Sequence, residues 1–426
     1  MSQPPFDRRA VLAWCLYDWA NSAFPAVITT FVFATYFTQG VAPDPVTGTA
    51  WWGHAQAAAG LTIAVLSPVL GSIADLTGRR KRWLAGFSAL NVLTVAALWY
   101  VEPNPASALF ALVTVAVATV AFEVGTVFYN ALLPEIAPTS HIGRVSGWGW
   151  GLGYVGGIIC LAIVLVVFVQ ADVPPFGLQK AAQEHVRAAS PFSALWFAVF
   201  ALPLFLFVPE PRGQRAAIAS AARRGIRDLW TTARSLVIAE RRPVLWFLIA
   251  QMIYSDGLTT LFAFGGIYAA GTFGMSLPEV IMFGVALNVT AGIGALGFAW
   301  VDDWIGPRRT VVLSLAAIIM LSAALLVISS KLWFWILALI LGAFFGPVQA
   351  ASRSMIARLA PQSHRTQMFG LFALSGRVTA FVGPATLAWA TELARSQRAG
   401  MATILVFFVT GLVLLIGKVP EAPRGV

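Results

Sequence analysis

Four ionisable side chains stand deep inside long apolar stretches of this 426-residue sequence: Asp18, Glu123, Asp256 and Arg377. A charge at the centre of a membrane helix costs about 2.5–3.5 kcal/mol even on the lenient insertion scale, so each is a candidate for function. A structural ion pair is the alternative. At about 1.5 Å of rise per residue, Asp18 lies roughly 13 Å beyond Arg9 and Asp256 roughly 21 Å beyond Arg242. On the same scale Arg377 lies roughly 18 Å beyond Arg365, and Glu123 roughly 16 Å before Pro134. All four fall near the middle of a bilayer.

Their types suggest different chemistry. The Arg377 guanidinium is planar and permanently charged, suited to bidentate recognition of a carboxylate or phosphate. Its other role is an ion pair with one of the three acids. Asp18 or Glu123 could carry a coupling proton, and Asp256 could bind a substrate ammonium. Asn21, Asn130, Gln251, Tyr254 and Gln349 are further polar candidates in the same stretches. Trp14, Asp18, Asn21 and Pro25 share one helical face, and Thr119, Glu123, Thr126 and Asn130 repeat that spacing. Such polar stripes should face protein or water rather than lipid. Gly370, Ala373 and Ala380 surround Arg377 with small residues, which leaves room for a ligand or a partner carboxylate.

The elements that must hold these residues are membrane helices. Hydrophobic residues make up 58% of the chain and charged residues 11%, with mean hydropathy +0.79. Soluble domains average about 25% charged residues, so a soluble enzyme and a disordered chain are both excluded. The apolar runs are long and continuous rather than alternating, which selects helices over barrel strands. Twelve spans are predicted: 11–38, 55–74, 83–101, 106–133, 145–169, 191–208, 243–270, 280–301, 310–329, 332–352, 366–392 and 401–419. The first is too long for a signal-peptide core and holds Asp18, so it is read as a span. Ser276-Leu-Pro-Glu279 reads as a capping box at the start of the eighth. Cys15 and Cys160 lie inside spans, so no disulfide framework is expected. The four histidines have no zinc-site spacing, and no metal or cofactor is expected.

Net charge is +10. The basic residues sit in short blocks between spans, the pattern of membrane orientation rather than nucleic-acid binding. Of 28 Lys and Arg, 22 fall at the termini and in the alternate loops on one side, and five in the opposite loops. That asymmetry places both termini in the cytoplasm. Residues 209–242 form the one evident linker, with eight arginines. Within it, 221–240 could form a basic amphipathic helix on the inner leaflet. The linker separates a half at 9–208 from a half at 243–419.

The halves echo each other. Ala-Pro-Thr-Ser-His at 137–141 matches Ala-Pro-Gln-Ser-His at 360–364. Asp75-Leu-Thr-Gly78-Arg-Arg matches Asp303-Trp-Ile-Gly306-Pro-Arg308, and Val155-Gly-Gly matches Val382-Gly-Pro. Three places give nearly one period, as a six-plus-six parallel repeat requires. That architecture puts a binding site near the midplane.

Gly71-Ser-Ile-Ala-Asp75-Leu-Thr-Gly78-Arg79-Arg80-Lys81-Arg82 resembles the loop signature of the major facilitator superfamily. The resemblance implies a conformational latch at Gly71, Asp75, Gly78, Arg79 and Arg80, with Asp303 and Arg308 in its echo. It also implies that spans 1, 4, 7, 10 and sometimes 5, 8 and 11 face a central cavity, and the four ionisable residues fall on spans 1, 4, 7 and 11. A narrower match lies in Tyr17-Asp18-Trp-Ala-Asn21-Ser-Ala-Phe24, Phe128-Tyr-Asn-Ala-Leu-Leu-Pro-Glu135, Tyr254-Ser-Asp256-Gly257 and Gln349-Ala-Ala-Ser-Arg-Ser354. These resemble the vacuole-effluxer-like family, which includes autophagy-related vacuolar amino-acid effluxers of fungi. Drug antiporters carry an Arg in span 4 and a Gly-Pro-x-x-Gly-Gly element in span 5. Here Glu123 and Gly153-Tyr-Val-Gly156-Gly157 stand instead.

The expected protein is an all-α integral membrane protein of twelve transmembrane helices in two six-helix halves. The expected function is secondary active transport of a small polar solute, an amino acid or related compound, with proton-coupled efflux as one form. The alternatives are export of drug-like or other metabolites and a non-transporting receptor. No phosphate-binding loop occurs, so ATP is not the expected energy source. Enzymatic chemistry and nucleic-acid binding are not expected. The partners are the solute, a coupling proton and the bilayer, the state is monomeric, and the location is a bacterial inner membrane.

Overall fold

In the computed structural model the described residues are 7–77, 80–136, 142–210, 242–359, 372, 375–376 and 379–420. The first part of the chain forms α1 (Arg8–Asn21), α2 (Phe33–Tyr36), α3 (Pro45–Thr77), α4 (Arg80–Ala97) and α5 (Ala108–Ile136). It continues with α6 (Ile142–Ile163), α7 (Glu184–Arg187) and α8 (Ala189–Phe207). The second part forms α9 (Arg242–Phe273), α10 (Leu277–Ile305), α11 (Pro307–Val327) and α12 (Lys331–Gly342). It closes with α13 (Phe345–Leu359), α14 (Val382–Ala394) and α15 (Gln397–Lys418). Short 3₁₀ and π segments join these, and every element among the described residues is helical.

Ten helical runs among the described residues are long and apolar enough to cross a membrane. They cover ten of the twelve predicted spans. The second predicted span lies within α3. Much of the eleventh is outside the described residues, and its described end is α14. The amphipathic segment at 221–240 and the echoes at 137–141 and 360–364 also lie outside them.

Local chemistry sets the helix ends. Asp7 caps α1, accepting the Arg9 amide at 2.9 Å. Asp44 caps α3, accepting the Val46 and Thr47 amides, each at 2.9 Å. Pro45 follows at the first helical position, where its missing N–H costs nothing. Further along the first span, Pro25 interrupts the backbone ladder and the chain continues as a π-helix over Phe24–Phe31. The capping box is present: the Ser276 amide donates to Glu279 Oε2 at 2.7 Å. Gly306 has φ +90°, a conformation that glycine adopts without strain, and so turns the chain into Pro307 at the start of α11.

The described contacts group the chain into two compact units. One comprises Met1–Gly48, Val65–Arg227 and Ser276–Met282. In it α1 lies against α6 and α8, and α4 against α5 and α8. Its core gathers Trp14, Tyr17, Leu84, Phe128, Tyr129 and Phe197. The other comprises Thr49–Ala64, Asp228–Met275 and Phe283–Val426. There α9 packs along α15 with α14 beside both, and α11 packs on α13 and α15. The Thr49–Ala64 stretch of α3 is tied into this unit by polar contacts. Gln397 donates to Thr49 Oγ1 at 2.8 Å, and His54 Nε2 lies 3.3 Å from Glu392 Oε2.

Each unit pins a pair of antiparallel helices at both ends. In the first, Lys81 opens α4 and donates to the Val208 carbonyl behind α8 at 2.5 Å. Arg187, just before α8, returns two bonds of 2.9 and 2.6 Å to the Trp99 carbonyl beyond α4. In the second, Arg308 opens α11 and donates to Ile416 in the last turn of α15 at 2.9 Å. Arg398 opens α15 and donates to the carbonyls of Leu326 and Ile328 at 2.6 and 2.7 Å. Every acceptor is a carbonyl without an intrahelical partner at the negative end of a helix, where a cation is favoured. A tyrosine adds to the arginine-closed end that follows α4 and α11: Tyr36 donates to Val101 at 2.8 Å and Tyr268 to Leu325 at 3.3 Å.

Candidate functional site

Two of the three predicted acids, Asp18 and Asp256, occupy like seats, one in each unit. In the first unit Asp18 is half-buried on α1. Asn21 Nδ2 reaches its Oδ1 over 3.5 Å, and the Tyr129 hydroxyl lies beside the carboxylate. Ser22 Oγ donates back to the Asp18 carbonyl at 2.8 Å. The seat exists because α6 brings glycine here. A side chain's first carbon at Gly149 would stand 2.8 Å from Asp18 Oδ2, and one at Gly153 would stand 2.8 Å from Ser22 Oγ. Small residues let helix backbones approach this closely in lipid.

An aromatic clasp holds α1 to α5 beside this seat. Trp14 Nε1 donates to the Tyr129 carbonyl at 3.1 Å, and the Tyr129 hydroxyl donates to the Trp14 carbonyl at 3.1 Å. The rings stack with centroids 4.4 Å apart and planes 9° from parallel. Tyr17 completes the cluster, its hydroxyl 2.7 Å from Ser88 Oγ.

In the second unit Asp256 is buried on α9, 1% exposed. Its Oδ2 accepts the Gly383 amide at 3.1 Å. Its Oδ1 is buried and has no hydrogen-bond partner among the described residues. Thr260 Oγ1 donates to the Asp256 carbonyl at 2.8 Å. Gly383 again permits the approach, because a side chain there would strike Thr260 Oγ1 and Asp256 Oδ1. Nearby on the same helix, Gln251 is 6% exposed. Its Nε2 donates to Ser255 at 2.9 Å, and its Oε1 accepts from Ser375 at 2.6 Å. Tyr254 is buried with its hydroxyl 2.6 Å from Ser352 Oγ. A buried polar atom left open is costly in a folded protein and marks a place for a proton, an ion or a ligand.

The other predicted residues fall as follows. Glu123 is half-buried on α5, Asn130 is exposed at its far end, and Gln349 is exposed on α13. Arg377 lies outside the described residues, between Ser375 and Gly383 in sequence. Of the latch residues, Gly78 and Arg79 lie outside the described residues, as do the side chains of Asp75 and Asp303. Gly71 lies in α3. Arg80 opens α4, half-buried, and Arg308 makes the α15 contact given above. Among the described residues no three His, Cys, Asp or Glu side chains group as metal ligands would.

As site residues, sequence reasoning passed over Gly149, Thr260 and Ser375, and it met Tyr129 and Gly153 only inside family motifs. For the glycines the signal was present, since Gly149 and Gly153 make a small-x-x-x-small pair. For Tyr129 the polar stripe through Glu123 pointed one residue too far, to Asn130.

The family described as "Vacuole effluxer Atg22 like" matches residues 54–421. A Bacillus subtilis (strain 168) protein, "Uncharacterized MFS-type transporter YxiO", is 28% identical over 416 residues, covering 96% of this chain and 94% of the relative. Autophagy-related protein 22 of Cryptococcus neoformans (strain JEC21) is 25% identical over 292 residues, 64% of this chain and 49% of that protein. The match thus spans about half of the fungal relative's length. Among solved structures, a D-xylose-proton symporter aligns with TM-score 0.72 at 12% identity, covering 98% of this chain and 99% of that one. A peptide transporter, POT, in complex with sulfate aligns with TM-score 0.69 at 14% identity, covering 97% and 96%. At such identities these structures speak for the fold, the major facilitator fold. The chain belongs to the vacuole effluxer Atg22-like family and is a multi-pass membrane transporter of the major facilitator type.

Proposed function

We propose that this transporter moves an amino acid or related zwitterion across a bacterial inner membrane by alternating access, as a proton-coupled effluxer. Asp256 takes the ammonium group and Arg377 takes the carboxylate. Asp18 or Glu123 carries the proton. The observation that carries this reading is buried Asp256, whose Oδ1 has no hydrogen-bond partner among the described residues. Supporting it, Ser375 and Gly383 each bond to α9, at Gln251 and at Asp256, and Arg377 lies in sequence between those two tethers. The family membership supports the solute class. In this reading the loop around Asp75 and Gly78, with its echo at Asp303 and Arg308, biases the two conformations rather than contacting solute.

Proteoliposomes test it. Counterflow of labelled amino acids, with and without an imposed pH gradient, should show uptake that an opposing solute accelerates. Absence of exchange for every amino acid tried, alongside exchange of sugars or nucleosides, would overturn the solute class. Both termini are placed in the cytoplasm by the 22-to-5 distribution of Lys and Arg. Single cysteines at 209–242 should therefore label only from the cytoplasmic side and cysteines at 174–183 only from outside, and the reverse pattern would overturn the orientation.

A further inference from the structure

In the second unit a cavity of about 50 Å³ lies among α9, α10, α11, α12, α13 and α15. Its lining is apolar and rich in rings, including Phe262, Phe283, Phe334 and Phe345. Two lining residues carry a hydroxyl, Tyr268 and Ser322. Tyr268 spends its proton on the Leu325 carbonyl. Ser322 is only 7% exposed, and its Oγ has no hydrogen-bond partner among the described residues.

Ser190, Ser314 and Thr391 also hold a buried hydroxyl without a partner among the described residues, but of these hydroxyls only that of Ser322 lines this cavity. Ser193, Thr260 and Ser352 each return their hydroxyl to the carbonyl one turn back. This is the ordinary way a helical serine or threonine satisfies itself in an apolar setting. The Ser322 hydroxyl is left for something else. On α9, Gly265 lines the same cavity, and a side chain added there would meet nothing within 4 Å.

Water is a poor occupant. A buried water needs about 10–15 Å³ of such space and two to four polar partners. This cavity offers several times the space and one uncommitted hydroxyl. Left empty, its walls forfeit dispersion contacts on one side. Rings prefer other rings in offset or edge-on contact.

We propose that this cavity binds a small uncharged aromatic molecule with one hydrogen-bonding group, a phenol-like compound, its ring among the phenylalanines and its polar atom on Ser322 Oγ. The site is separate from the Asp256 seat, which α9 presents to α14.

The test uses the full-length protein in nanodiscs with 4-fluorophenol and fluorobenzene as probes, read by fluorine NMR against empty nanodiscs. Wild-type protein should bind 4-fluorophenol more tightly than fluorobenzene. Ser322→Ala should weaken 4-fluorophenol by about fivefold, the worth of one neutral hydrogen bond, and leave fluorobenzene unchanged. Gly265→Leu should fill the space and abolish binding of both probes while raising the unfolding temperature. Ala338→Leu, on the α12 wall, provides a second filling variant. If both filled variants bind the probes as wild type does, the signal is partition into lipid and the site is refuted. Equal loss of both probes in Ser322→Ala would refute the hydroxyl's role.

Discussion

Asp18 and Asp256 sit alike and are partnered differently. Each lies on the first helix of its half, against glycine on a later helix that approaches too closely for any side chain. Around Asp18 side chains close the seat: Asn21 and Tyr129 stand at the carboxylate, and the Trp14–Tyr129 clasp fixes the helices behind it. Around Asp256 the identified partner is a backbone amide, and one oxygen has no partner among the described residues. The repeat has thus kept the backbone geometry and let the side chains diverge. A seat closed by side chains resists change, whereas one with an open valence has capacity for a ligand.

This contrast predicts a ranking. Asp256→Asn should reduce solute exchange by about 100-fold, the scale of removing one member of a buried charged contact. Asp18→Asn should reduce counterflow by less than about threefold while lowering the unfolding temperature, and loss of the response to a pH gradient in this variant would assign the proton to Asp18, its retention to Glu123. Counterflow and thermal unfolding on the same preparations check both, and a reversed order would break the comparison.

Arg377→Lys comes next. Lysine keeps the charge and loses the fork, so binding of an amino acid should weaken by about tenfold and binding of its amide analogue much less. Equal loss for both ligands would mean that Arg377 serves an ion pair, and neutralising the partner acid should then rescue it in part. Smaller again is Asp75→Asn, expected to slow turnover by roughly threefold with affinity unchanged, since it shifts a conformational balance. A change in affinity alone would contradict the latch. The smallest is Tyr129→Phe, which removes one hydroxyl bond to the Trp14 carbonyl. It should cost about 1 kcal/mol of stability, read from denaturant midpoints, and leave Asp256-dependent exchange intact.

How much of this is legible in the sequence depends on what lipid enforces. A bilayer demands continuous apolar runs, so ten predicted spans reappear as helices of membrane length. The same demand makes a buried acid conspicuous, and Asp18 and Asp256 stand out for that reason. Hydropathy hides polar beginnings, so α3 starts at Pro45, well before its predicted apolar stretch at Ala55. The Asp44-Pro45 pair carried that start as a capping signal. Helical periodicity selects a face, and the face through Glu123 ends at Asn130. Which neighbour α5 meets is a tertiary fact, and it selects Tyr129. Lys81, Arg187 and Arg398 were countable as loop charges, but their partners are main-chain carbonyls, which every residue carries and no side-chain pattern reveals.

The paired end clamps bear on how the protein is made. Arg308 and Lys81 are synthesised with the third helix of their half, about a hundred residues before the carbonyls they pin. The arginines that close the opposite ends arrive with the sixth. A half therefore stays fastened at neither end until its last helix has entered the membrane, and then both ends close together. Each set of fastenings is complete within 1–208 or within 242–419, so a ribosome that has passed the arginine-rich segment has released a finished anchoring job. A gene cut in that segment should yield two polypeptides that insert separately, whereas a cut between α5 and α6 would strand Lys81 and Trp99 on one fragment and their partners on the other.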